Sequence, residues 1–195
     1  MNFPALALLE FDSIAVGIEA ADAMVKRAPV GQIQSGTVQP GYYLVLVTGE
    51  VADVEEAVTA GKETGQPALR DCIFLPHVHQ AVVLALNGRQ QIQETDALGV
   101  VETQTVASAI QAADAGVKGA EVTLLQLRLA DGLGGKGLIM FTGLVADVET
   151  AIEISTAVAQ LHLIRQSIIP QLHSEMWPNV NRHGRFGESF NWEAA

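Results

Sequence analysis

Thiols are almost missing from this sequence: its 195 residues hold one cysteine, Cys72. A single thiol closes no disulfide within the chain and builds no cysteine-rich metal site, a pattern that fits a reducing compartment. Charge is thin as well, at 17% of residues. That is low for a free-standing soluble monomer. Either subunit contacts consume surface that would otherwise be charged, or alanine and valine fill a large core. Lys and Arg total 11 against 22 Asp and Glu, giving a net charge of −11 with no basic stripe. This balance argues against nucleic acid as a partner. No apolar run approaches the roughly 18 residues that span a bilayer. Met1–Leu9 lacks the basic start of a signal peptide, and Glu10 ends its apolar stretch. No membrane partner is expected.

What the sequence does have is itself, twice. From Leu44 to Ala57 it matches the stretch 94 residues later at 9 of 14 positions, through Thr48-Gly49 and Val51-Ala52-Asp53-Val54-Glu55. Upstream the offset is 92: Ala20-Ala21-Asp22-Ala23 returns as Ala112-Ala113-Asp114-Ala115, Val25-Lys26 as Val117-Lys118, and Glu10 as Glu102. The two extra residues enter the glycine-rich stretch Gly132–Gly137. Each repeat is as long as a small domain, so a solenoid is excluded and two tandem domains are expected.

The pattern within each copy alternates strands and amphipathic helices. Ala5–Phe11 reads as a buried strand, and a helix follows from Ser13, its N-cap. Val30–Ser35 and Tyr42–Thr48 read as a hairpin around the turn-rich Gly36–Gly41. A second helix opens at Val51, with Asp53 and Glu55 in its first turn, and ends near Gly65 and Pro67. Leu69–Leu75 is a fourth strand and His79–Leu86 a short helix. The second copy repeats the order, with Leu163–Ile169 as its last strand. The expected class is α/β, of ferredoxin-like βαββαβ order. The domains run over 1–88 and 97–177, the polar stretch 87–96 links them, and 178–195 forms a C-terminal tail. That tail is expected to have no counterpart in the first copy; it lies on its own surface, is disordered, or acts as a docking peptide.

Candidate chemistry is sparse. The loop Gly132–Gly137 fails the phosphate-cradle pattern: Ala130 stands at the first glycine, Gly137 replaces the Ser or Thr, and a strand follows where a helix should. Its glycines are expected to let backbones crowd together. His77 and His79 lack an accompanying carboxylate cluster for a metal. His79 and His173 fall at equivalent positions and are expected to cap or pack. Glu10 and Glu102 are assigned structural hydrogen bonds, and Cys72 a buried strand position. No nucleophile, base and orienter set can be assembled, so no catalytic residue, metal site or enzymatic activity is expected.

The element order, AADAMVK at 20–26, AADAGVK at 112–118 and the doubled Thr-Gly-helix signature together resemble bacterial microcompartment shell proteins. The likeness is to their tandem-domain, trimer-forming class, unpermuted, as in the propanediol-utilisation compartment's trimer protein. It covers residues 5–177. The resemblance implies a structural shell tile in the bacterial cytoplasm: three chains form a pseudohexameric homotrimer that assembles with other shell proteins. A pore on the threefold axis would pass small polar metabolites. It would be lined by Thr37, Val38, Gln39, Pro40 and Gly41, and by Ala130, Asp131, Gly132, Leu133, Gly134, Gly135, Lys136 and Gly137. Asp131 and Lys136 would add one charge of each sign per chain at its rim. The tile edge would use Lys26 and Lys118 with His77 and Gln171.

Two departures from the family stand out. The propanediol-compartment member places a cysteine in the first loop and binds an iron–sulfur cluster on the axis; here that position is Gln39, so no cofactor is expected. Family members often carry Pro-Arg-Pro-His after the fourth strand. Here the stretches are Pro76-His77-Val78-His79 and Pro170-Gln171-Leu172-His173, so edge packing differs. Two other readings stay open: a tandem ferredoxin-like regulator binding a small ligand, and a redox-cofactor-carrying tile.

Overall fold

A computed structural model describes residues 5–88 and 96–181. Most of the expected linker and residues 182–195 of the expected tail lie outside them. The first copy runs β1 (Ala5–Phe11), α1 (Ile14–Arg27), β2 (Gln32–Val38), β3 (Tyr42–Gly49), α2 (Val51–Gly65), β4 (Leu69–Leu75) and α3 (Gln80–Leu86). The second runs β5 (Ala97–Thr103), α4 (Val106–Gly119), β6 (Thr123–Leu129), β7 (Gly137–Gly143), α5 (Val145–Ala159) and β8 (Leu163–Pro170). A 3₁₀ turn over Ser174–Met176 leads into α6 (Trp177–Val180). Each copy builds one antiparallel sheet, in the orders β2-β3-β1-β4 and β6-β7-β5-β8.

The first strand shows why each sheet has two working faces. Alternate side chains of a strand point to opposite sides. Ala5, Ala7, Leu9 and Phe11 pack with Ala20, Met24, Val54 and Ala57 of α1 and α2. Leu6 and Leu8 are equally buried but turn to the other face, where they join the core that contains Val106 and Ile110 of α4. Both helix starts are capped from the sequence: Ser13 accepts from Val16 N–H and Thr105 from Ser108 N–H.

Three expected boundaries shift. β2 begins at Gln32 and continues to Val38, because Gly36, Thr37 and Val38 pair with Leu44, Tyr43 and Tyr42. Thr37 and Val38 are thus strand residues, and the first turn proper is Gln39–Gly41. Gly137 likewise opens β7 and pairs with Thr103. The tail boundary expected after 177 falls inside α6, which occupies the place of Val83–Leu86 of α3. Residues 178–180 therefore do have a counterpart in the first copy, contrary to expectation.

Candidate functional site

The two copies meet along a seam where the first copy's sheet receives the second copy's first helix. α4 lies across the back of β4 and β1. At its N-terminus the buried Glu10 carboxylate accepts the Val106 N–H at 2.8 Å, supplying from the other copy a partner that helix ends lack. The other Glu10 oxygen pairs with Arg70, whose guanidinium sits 3.8 Å from the Tyr42 ring centroid. Asp71 accepts from the Thr105 hydroxyl and stands 3.7 Å from His162. Burial pushes the Glu10 carboxyl above the ordinary carboxylate range, while the Val106 N–H and Arg70 pull it back.

Further along α4, Asp114 accepts the His79 N–H at 2.7 Å and pairs with Lys118 at 2.5 Å. Lys118 also donates to the His77 carbonyl. Two expected edge residues, Lys118 and His77, are thus brought together within one chain, across the seam. Lys26 pairs only with Asp22 on its own helix among the described residues, and Gln171 lies just past β8 with φ +54°. His79 and His173 cap as expected, each imidazole accepting the N–H two residues on.

The two hairpin turns lie side by side. Gln39 N–H donates to Asp131 Oδ1 at 3.0 Å, and Gly132 N–H donates back to Gln39 Oε1 at 3.2 Å. Gly135, at φ +86°, makes this approach possible: a Cβ there would stand 2.9 Å from Pro40 Cδ and from the Tyr42 ring. Ala130, Gly132 and Gly134 also take positive φ, so the second turn coils on itself, with Ala130 N–H donating to Lys136 O and Leu133 N–H to Ala130 O. Lys136 pairs with Glu102 at 3.3 Å. Neither expected rim charge is free: Asp131 locks the first turn and Lys136 is half of an ion pair. Their reciprocal lock was not visible in the sequence, since 92 residues separate Gln39 from Asp131.

The donors here do not fit an iron–sulfur cluster, which depends on thiolates. Gln39 offers an amide already engaged with Gly132. Cys72 lies away on β4, half-buried, and burial pushes its thiol up to about 11. Among the described residues no group of three or more His, Cys, Asp or Glu could hold a metal ion. No helix among them is long and apolar enough to cross a membrane.

The copies differ most where they should match. On α4, Val106, Ile110 and Val117 are 0%, 0% and 9% exposed; their counterparts on α1, Ile14, Ile18 and Val25, are 39%, 52% and 42% exposed. The receiving surface shows the converse. β4, which α4 covers, is half-buried or, at Ile73, buried, whereas most of β8 is exposed, Ile164 and Ile169 included. Each chain therefore carries one filled seam, one bare helix face and one bare sheet face.

A duplicated α/β unit joined through such a seam, with its two hairpin turns paired, defines a tandem two-domain protein. The chain belongs to the microcompartment shell protein family: the BMC domain matches it twice, over residues 5–78 and 97–172. It is 38% identical over 175 residues to the bacterial microcompartment shell protein PduT of Citrobacter freundii, covering 89% of this chain and 95% of that one. The carboxysome shell protein CsoS1 of Prochlorococcus marinus is 46% identical over 96 residues, matching 47% of this chain but 92% of its own length, as a single copy would. A crystal structure of a microcompartments protein from Desulfitobacterium hafniense DCB superposes with a TM-score of 0.77 at 39% identity, over 89% of this chain and 98% of that one.

Proposed function

We propose that this chain is a non-enzymatic shell tile of the bacterial cytoplasm, in which three copies close head to tail around a pore for small polar metabolites. The observation that carries the reading is the pair of bare faces. A heterologous contact of α1 with β8 and β5 of the next chain repeats the seam already made within each chain, and such a contact closes into a ring when its rotation allows. Ile14, Ile18 and Val25, roughly half-exposed in one chain, then lose that exposure, each contributing roughly 1 kcal/mol, about half of a full burial. The thin charge noted at the outset has the same explanation. Light scattering should give about three times the 20.7 kDa chain mass; a stable monomer at micromolar concentration would remove both ring and pore. Family membership does not favour the small-ligand regulator.

In this ring the turns Gln39–Gly41 and Ala130–Lys136 gather at the axis. Asp131, Lys136 and Glu102 together leave one net negative charge per chain at the rim, which disfavours anions. Replacing Asp131 by Ser should raise the flux of an acidic metabolite relative to a neutral one across assembled shells. An unchanged ratio would mean that the charge filters nothing. The pore takes no iron–sulfur cluster, so protein purified without oxygen should be colourless and free of stoichiometric iron.

Tile edges are the remaining part. The pairing of Lys118 with the His77 carbonyl supports an edge role for this lysine at the mouth of the seam, and Lys26 would meet the Gln171 carbonyl of the next chain in the same way. Lys26→Asp together with Lys118→Asp should impair incorporation into shells with other shell proteins. Full incorporation of the double variant would remove both residues from the edge.

A further inference from the structure

The sheet faces opposite the long helices are filled differently in the two copies. In the second, Trp177 packs on Leu98 and Leu125 with Val180 beside it, and the buried Gln126 donates its side-chain N–H to the Val180 carbonyl. In the first copy Val83 stands where Trp177 would be, and a cavity of about 440 Å³ opens on the equivalent face. Leu6, Leu8 and Leu46 form its floor, Val83 and Leu86 line the α3 side, and Gln34, the counterpart of Gln126, lies on its β2 side. Thr48 lines it as well, with a buried hydroxyl that has no hydrogen-bond partner among the described residues. The second copy thus shows what this face accepts: an aromatic ring, with a backbone carbonyl above the glutamine.

We propose that the first copy's cavity takes the aromatic part of residues 182–195 from the neighbouring chain, with Trp192 entering it. This rests on the three-chain ring. Within a chain α3 lies against β6. Its counterpart α6 then lies against β2 of the next chain, the strand that carries Gln34. α6 ends at Val180, so in this ring the residues that follow would start beside the cavity's edge. The segment RHGRFGESFNWEAA holds Phe186, Phe190 and Trp192, and its 14 residues could extend roughly 45 Å, ample for the distance. An indole brings a large apolar ring and one N–H donor, which the Thr48 hydroxyl can accept; a passing main-chain carbonyl can take the Gln34 amide. Each chain would strap its neighbour.

Trp177 and Trp192 are the two tryptophans of the chain. In the full-length Trp177→Phe variant, fluorescence therefore reports Trp192 alone. Its emission should be blue-shifted and severalfold less quenched by acrylamide than after a further Leu46→Glu change in the cavity floor. Equal, solvent-like quenching in both would overturn the proposal. A second measurement leaves Trp177 in place: Cys72→Ala with Asn87→Cys at the cavity and Glu193→Cys beside Trp192, treated with a short bismaleimide. Bands of two and three linked chains on a denaturing gel are expected. Single chains only, from protein that scatters as a trimer, would overturn the neighbouring-chain assignment while leaving the ring intact. A monomer mass before cross-linking would overturn the ring itself. A hydrophobic dye that fills the cavity equally well with and without Phe186, Phe190 and Trp192 replaced by Ser would give the cavity to a separate partner, against the proposal.

Discussion

Ile18→Asp should leave the chain folded and turn the trimer into a monomer, whereas the equivalent change, Ile110→Asp, should prevent folding. The residues are repeat counterparts on α1 and α4, yet Ile18 is half-exposed and Ile110 wholly buried. A carboxylate at 110 would sit without a partner in the core, a cost beyond about 4 kcal/mol and a large part of a domain's stability. At position 18 the same carboxylate faces water in the single chain; in the proposed ring it would have to be desolvated against the next chain's sheet. Circular dichroism should show native helix content for Ile18→Asp, with light scattering reporting single chains. A trimeric Ile18→Asp protein would mean that the bare face of α1 is not the contact.

Glu10 should be the most consequential single carboxylate. Glu10→Ala strips the Val106 N–H of its acceptor and leaves Arg70 unpaired against the seam, a loss of about 1–3 kcal/mol. Glu10→Gln keeps an acceptor for Val106 and should recover most of that loss. The pH dependence separates the two roles. The carboxyl's folded value is raised, chiefly by burial, so the folded state holds the proton more readily than the unfolded state. This group's contribution is therefore most favourable below its ordinary range and declines as pH rises from there through the raised value. Glu10→Gln should remove that decline from the stability profile measured by urea unfolding. A profile with the same slope in both proteins would show that Glu10 does not titrate across folding.

These predictions rest on relations that a one-dimensional reading reaches only in part. Ala5–Phe11 is legible to the residue as an apolar run ended by Asp12 and Ser13, and Leu69–Leu75 as a short stretch punctuated by Pro67 and Pro76. His79 and His173 were legible as caps through their equivalence. β2 extends past its expected end, since Gly36 and Thr37 have turn chemistry but are held extended by Tyr43 and Leu44 across the hairpin. The glycines of the second turn announced close backbone approach, and Gly135 makes it against Pro40. What they approach was hidden, as were the seam partners: Glu10 meets Val106, and Lys118 meets His77, only after both copies have folded. The asymmetry of Ile18 and Ile110 was the least accessible of all. Repeat equivalence in sequence says that two positions resemble one another, and only the folded chain says that one is covered and the other is not.

Electron microscopy of the purified protein tests the central claim most directly. A tile closed head to tail by the α1–β8 contact should appear as rings with a threefold axis, six similar lobes and a central opening. Single two-lobed particles, or open chains of them with no closure, would contradict it.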